Sequence, residues 1–377
     1  MGRVGHALVA LVLAGTLAAC SEDEPRPAAD PSPAESGATP SDDDPSGEPT
    51  GTPSETGQQG SPESPVELEA GNDLLDWREV PGPVSTTVTV SGEWTLAQHE
   101  RDAVLDGPRS ATVEAPRRHR VTDTLIDGEY AVVVTADELE QRANTATVID
   151  LATGDRSVLD SSSDVPTTTG GTWALGQGRL VHATIGRGRA YCAATVELAT
   201  MTSATTWCAP RRQGFNSART SPQGTAVLAF DDARPSCRTV GRIDSGALVP
   251  FEGVPECTGW DGALVDGGAV WSVVPKAKRV EEADFFARSD DGWFDLGPGT
   301  SGTLTWCGGA AYFARDPQRS GDPARLLRWA PGDGLTVAFE TEGRGQAFLT
   351  TPRCGGDTLT LTALAESGDV QVAAGVR

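Results

Sequence analysis

The chain has 377 residues, with 30 Lys and Arg against 53 Asp and Glu, for a formal charge of −23. That balance argues against nucleic acid as a partner, because phosphate binding needs a basic stripe. With 44 Gly and 26 Pro, the chain is too rich in turn formers for a helical bundle or a coiled coil.

Residues 1–19 read as an export signal. Arg3 supplies a small positive start, and residues 7–19 (ALVALVLAGTLAA) form an apolar run of 13. A membrane span needs about 20 such residues, so this run is too short to be one. It ends Leu17-Ala18-Ala19-Cys20. These four residues resemble the lipobox of bacterial lipoprotein precursors, Leu-Ala-(Gly/Ala)-Cys. The resemblance implies cleavage between Ala19 and Cys20 and a lipid on the Cys20 thiol, a nucleophile that can be alkylated. It further implies a membrane anchor on the extracytoplasmic face, where two or more acyl chains hold stably and one would be marginal. The alternative is an ordinary secretory signal followed by an incidental cysteine. The chain uses 28 Arg and 2 Lys, as a GC-rich genome of the actinobacterial type would.

Residues 20–76 read as the lipidated cysteine and a tether. Between residues 21 and 65 there are ten Pro and no Val, Ile, Leu or aromatic residue. Such a segment cannot bury enough apolar surface to offset its ordering entropy and is expected to be disordered. As a coil it would reach about 35–40 Å. Residues 21–76 hold 15 acidic residues and one Arg, so most of the excess charge lies there.

Residues 77–377 are expected to form an all-β domain. Short alternating runs such as 357–364 (DTLTLTAL) are separated by Gly, Asp, Ser and Pro turns. Only residues 137–143 look weakly helical. One unit recurs, a turn ending in Gly that leads into an apolar strand, at Gly128, Gly178, Gly224, Gly268, Gly309 and Gly356, with an earlier, shorter copy at Gly92. A second hairpin follows each of the first five, most clearly in 146–159 (ATVIDLATGDRSVL). Two hairpins in every unit of about 45 residues is the period of a β-propeller blade. The pattern resembles the β-propellers of bacterial envelope proteins, especially in the Asp150-Leu151-Ala152-Thr153-Gly154 hairpin. The expectation is seven blades of four antiparallel strands, with six as the alternative. The last unit, from about residue 346, has room for only three strands, so a segment between Trp77 and His99 should supply the outer one. A pair of two-sheet sandwiches is the competing architecture, but it would show no regular period.

Six cysteines remain beyond Cys20, and an exported chain meets an oxidising compartment. Cys192 and Cys208 lie symmetrically about the turn of one hairpin. Cys237 and Cys257 bracket the corresponding hairpin one blade later. Cys307 and Cys354 each stand two residues before a repeat Gly, hence at equivalent positions in neighbouring blades. The expected pairs are 192–208, 237–257 and 307–354. The spacings contain no Cys-x-x-Cys and little nearby His, so no metal site is expected.

Candidate sites are sparse. Arg117, Arg118, His119 and Arg120 form the one dense basic cluster; Arg forks there suit a carboxylate or phosphate ligand, although a solvated loop is the plainer reading. His99-Glu100-Arg101-Asp102 groups acid–base types but reads mainly as a strand end entering a turn. Arg187, Arg189, Arg211 and Arg212 form a looser set. Asp231-Asp232 and Asp290-Asp291 suit turns better than Ca²⁺. His182 sits at an alternating strand position as a packed residue would, and Trp173, Trp271 and Trp306 fall at blade boundaries. No nucleophile elbow or phosphate-cradling loop is present. The resulting expectation is a monomeric envelope lipoprotein whose tethered propeller binds or scaffolds an envelope protein or glycan, with no catalytic residues and no cofactor. The alternative is a propeller-type hydrolase or glycan-active enzyme with paired carboxylates on loops at the channel mouth.

Overall fold

A computed structural model describes residues 64–276, 279–319, 321–343 and 346–376. The signal segment, Cys20 and the tether up to residue 63 lie outside these residues. The described chain folds into seven four-stranded antiparallel blades, a β-propeller. Blades 1 to 6 occupy residues 87–114, 119–159, 173–208, 213–250, 259–300 and 305–340, and blade 7 is built on 347–375.

The repeat glycines mark the turns between the first and second strands of their blades. Gly178 and Gly356 take φ of +66° and +63°, where a side chain would be strained. In the second hairpin of blade 2, Asp150 Oδ1 accepts the amides of Ala152 and Thr153 at 2.9 and 2.8 Å, and Gly154 turns at φ +82°. The local chemistry of that motif is therefore a side-chain-capped turn. Second strands such as Tyr130–Asp137 and Ala310–Arg315 are packed on both faces by neighbouring blades. This is why they read as continuous apolar runs (YAVVV, AAYFA) instead of alternating.

Residues 137–143 are a strand end, Asp137, and the loop after it, not a helix. The Asp137 carboxylate accepts the Gln141 amide at 3.0 Å, and the Asp137 carbonyl accepts that of Glu140 at 2.9 Å. These local bonds compete with a helical ladder. The sole helical element among the described residues is a single 3₁₀ turn, Arg187–Arg189.

The ring is closed by the N-terminal segment, as the short last unit requires. Arg78–Glu79 pairs antiparallel with Val372 and Ala373 and becomes the outer strand of blade 7. Residues 64–76 depart from the tether expectation, because part of this stretch is added sheet. Val66–Glu67 runs parallel to the outer strand of blade 5, and Gly71–Asn72 parallel to that of blade 6. The reason is apolar burial. Leu68 packs on the core between blades 5 and 6, and Leu75 and Trp77 pack on that between blades 6 and 7. The Trp77 indole also donates to the Ala338 carbonyl at 2.8 Å.

Apolar clusters fill six of the seven gaps between blades. Trp173 belongs to the gap between blades 2 and 3, Trp271 to that between 4 and 5, and Trp306 to that between 5 and 6. The seam between blades 7 and 1 is polar instead. Val90 N–H donates to Thr360 Oγ1 at 2.9 Å, and Gln371 Nε2 donates to the Thr86 carbonyl at 3.2 Å and to Thr362 Oγ1 at 3.1 Å. Gly355 is required here, since a Cβ would collide with the Val90 carbonyl. A cavity of about 400 Å³ lies along this seam.

All three expected disulfides are present. Cys192 and Cys208 are register partners on the third and fourth strands of blade 3. Cys237–Cys257 ties a loop of blade 4 to the connection into blade 5, and Cys307–Cys354 joins the inner strands of blades 6 and 7. Three disulfides point to an oxidising, non-cytoplasmic compartment. Among the described residues no helix is long and apolar enough to cross a membrane.

Candidate ligand site in the central channel

The first strand of every blade faces the ring axis. A cavity of about 360 Å³ there is bordered by residues of blades 1, 2, 3, 4 and 7 and of the start of blade 6. Its charged residues are Asp123, Arg219 and Arg353, with Asp261 of blade 5 just behind Arg219. The strands hold three of these four at breaks in their own regularity. The pairing register shifts between Val121 and Asp123, between Asn216 and Arg219, and between Gly259 and Gly262, which brackets Asp261. A bulge re-aims the residue beside it, so a charge on an otherwise alternating strand can face the axis.

Two arginines act as clasps between blades. Arg219 donates Nη2 to Asp261 Oδ1 at 2.8 Å, Nε to the Leu304 carbonyl at 2.5 Å and Nη1 to the Ser217 carbonyl at 3.3 Å. Asp261 is 1% exposed at its side chain, and its Oδ2 accepts Ser272 Oγ and the Gly302 amide at 3.1 and 2.7 Å. This ion pair is closed, with its acceptors engaged. Arg353, from blade 7, donates Nε to Thr89 Oγ1 of blade 1 at 2.6 Å and Nη2 to both the carbonyl and the hydroxyl of Thr124 in blade 2. Among the described residues its Nη1 has no partner.

Asp123 and Arg353 form the open half of the site. They influence each other electrostatically but do not join in an ion pair. Burial pushes the Asp123 carboxyl up from 3.8 to about 6, against the opposing pull of the Arg353 charge and a hydrogen bond from Thr122. Burial lowers the Arg353 guanidinium, and Asp123 opposes that shift. A buried carboxyl raised toward neutrality beside a guanidinium with a spare donor makes this cavity the candidate ligand site.

The residues singled out from sequence lie elsewhere. Arg117 and Arg118 form the turn from blade 1 into blade 2, with Arg118 at φ +64°, and His119 and Arg120 open the first strand of blade 2. Arg101 fastens that turn through the carbonyls of His119 and Pro116 and pairs with Glu138 at 3.2 Å. None of the four borders the channel cavity. His99 and Asp102 are joined through their backbones at 2.9 Å, as a strand-end turn should be. Asp231 caps its own loop through the Cys237 amide at 2.8 Å, and Arg212 pairs with Asp232 at 2.7 Å. His182 is fully buried, stacks on Trp173 at 5.3 Å and bonds the Ala183 carbonyl through Nδ1. Burial lowers its pKa. Among the described residues no three His, Cys, Asp or Glu side chains gather into a metal-sized cluster.

Sequence reasoning missed Asp123, Arg219, Asp261 and Arg353. One signal was available, since Asp123 and Arg219 each stand five residues before a repeat glycine, Gly128 and Gly224.

No protein-family model matches the chain, and neither does any curated protein. Among solved structures it is similar to the β-propeller domain of the trilobed protease from Pyrococcus furiosus, at 11% identity and a TM-score of 0.52, over 76% of this chain and 94% of that one. It is also similar to a prolyl endopeptidase, at 12% identity and 0.51, and to prolyl oligopeptidase B from Galerina marginata, at 10% and 0.51. Each of these two matches covers 76% of this chain but only 45% and 48% of theirs, so the chain spans about half the length of those enzymes. At such identity the likeness establishes the class, a β-propeller, and no activity.

Proposed function

We propose that this protein is an envelope lipoprotein, anchored through Cys20, whose propeller works as a binding module with its ligand seated in the central channel. The observation that carries this reading is the channel cavity itself, to which six blades contribute and which holds an open guanidinium and an open carboxyl. The lipobox-like Leu17-Ala18-Ala19-Cys20, the Pro-rich acidic segment after it and the three disulfides support placement outside the cytoplasm. The hydrolase alternative needs two free carboxylates facing one bond. The channel wall offers Asp123, whereas Asp261 is taken up by Arg219, Ser272 and Gly302.

The anchor and the binding role are tested separately. Cys20→Ala should move the protein from the membrane fraction to the soluble fraction; a variant that still sediments with membranes refutes the anchor. For binding, the full chain in detergent is used to capture ligands from envelope extracts, with Arg353→Gln as control. Captured material that is the same with both proteins refutes the channel as the site.

A further inference from the structure

The open half of the channel has a chemistry of its own. Arg353 is held by three hydrogen bonds to blades 1 and 2, so its guanidinium is fixed before any ligand arrives. A fixed fork with an unused Nη1 loses little freedom on binding and suits a planar anion. Asp123 borders the same cavity, and its carboxyl makes no ion pair with Arg353. Arg219 is neutralised by Asp261 at 2.8 Å, and the rest of the lining carries no charge, its polar side chains being Ser217 and threonines such as Thr89, Thr305 and Thr351. Opposite charges sharing a cavity without closing into a pair leave room for a third group between them.

We propose that this cavity recognises the carboxylate of a small organic acid, which accepts hydrogen bonds from Arg353 Nη1 and from the Asp123 carboxyl in its protonated form. The inference deepens the binding reading above and rests on it. A ligand carboxylate between Arg353 and Asp123 shares a proton with the latter, so binding above pH 6 must take up a proton from solvent. No bond is made or broken beyond that transfer. A cavity of about 360 Å³ is at the lower end of the size range for small-molecule sites and suits an acid of modest size.

The test is isothermal titration of the full chain in detergent. The probes are succinate and N-acetyl-L-alanine, with N-acetyl-L-alanine amide as the neutral control and L-alanine as the zwitterionic one. Each is carried to 20 mM in two buffers of different ionisation enthalpy. At least one acid should bind with uptake of close to one proton at pH 7.5, and the amide should not bind. Asp123→Asn should tighten that binding about thirtyfold at pH 7.5, remove the proton uptake and leave affinity level between pH 5.5 and 8. Arg353→Gln should abolish binding, and circular dichroism will show whether it folds; the asparagine variant decides the matter if it does not.

Three outcomes overturn the carboxylate while leaving the binding module intact. They are an amide that binds as well as its acid, an acid that binds without proton uptake, and L-alanine binding that is lost in Asp123→Asn, which would make Asp123 the counter-charge of an ammonium. Absence of heat from both acids overturns the carboxylate as well, and if capture from extracts is also independent of Arg353, the binding module falls with it.

Discussion

Asp123→Asn also tests the physics of the channel without any ligand. The carboxyl is raised from 3.8 to about 6, so the folded protein holds the proton more tightly than the unfolded chain. Stability from this group is therefore fully present below pH 3.8 and is lost as pH rises through 6. The full loss is about 3 kcal/mol, at about 1.4 kcal/mol per pH unit of displacement. Asparagine has nearly the shape of the protonated acid and carries no charge at any pH. The variant should therefore exceed the parent by about 3 kcal/mol at pH 8 and by only about 0.5 kcal/mol at pH 4. At about 2 °C per kcal/mol for a domain of this size, the melting temperature should rise by about 6 °C at pH 8. Urea or thermal unfolding at the two pH values measures the difference directly. An equal gain at both, or a loss at pH 8, refutes the reasoning: the first would mean that the charge is irrelevant, the second that the site holds Asp123 as the anion.

The Arg219–Asp261 pair should behave in the opposite way. Arg219→Met leaves a buried carboxylate unpaired and should cost about 3 kcal/mol, and adding Asp261→Asn should recover at least half, because the amide still accepts the Gly302 N–H; urea midpoints of the single and double variants check this. Trp77→Ala should lower stability by about 2 kcal/mol, through loss of the bond to Ala338 and of the edge contact with Phe339 at 5.4 Å, read as a lower melting temperature. Replacing both Cys307 and Cys354 by Ala should cost about 4 kcal/mol against about 3 for Cys192 and Cys208, since the first pair closes 47 residues and the second 16; unfolding under oxidising conditions compares the two.

The sequence by itself determined the blade rhythm, because the devices that make it are local. A glycine able to take positive φ ends each inner turn, as at Gly178 and Gly356, and Asp150 caps its own hairpin. The cysteine pairs followed from the same rhythm, since residues at equal distances from a turn, such as Cys192 and Cys208, become register partners. The need for an added outer strand was legible too, because the last unit is too short to make four. The tertiary structure alone decided where the charges meet. Asp123, Arg219 and Arg353 lie far apart along the chain and converge only because seven first strands surround one axis. Two of them face that axis at breaks in strand pairing, and such breaks depend on the neighbouring strand as well as on the residue itself. Only the folded ring also showed that Leu68 and Leu75 draw the end of the tether onto blades 5 to 7, and that threonines, Gln371 and Arg353 fill the closing seam. Alternation along a strand reports which residues share a face; what that face meets depends on contacts between residues distant in sequence.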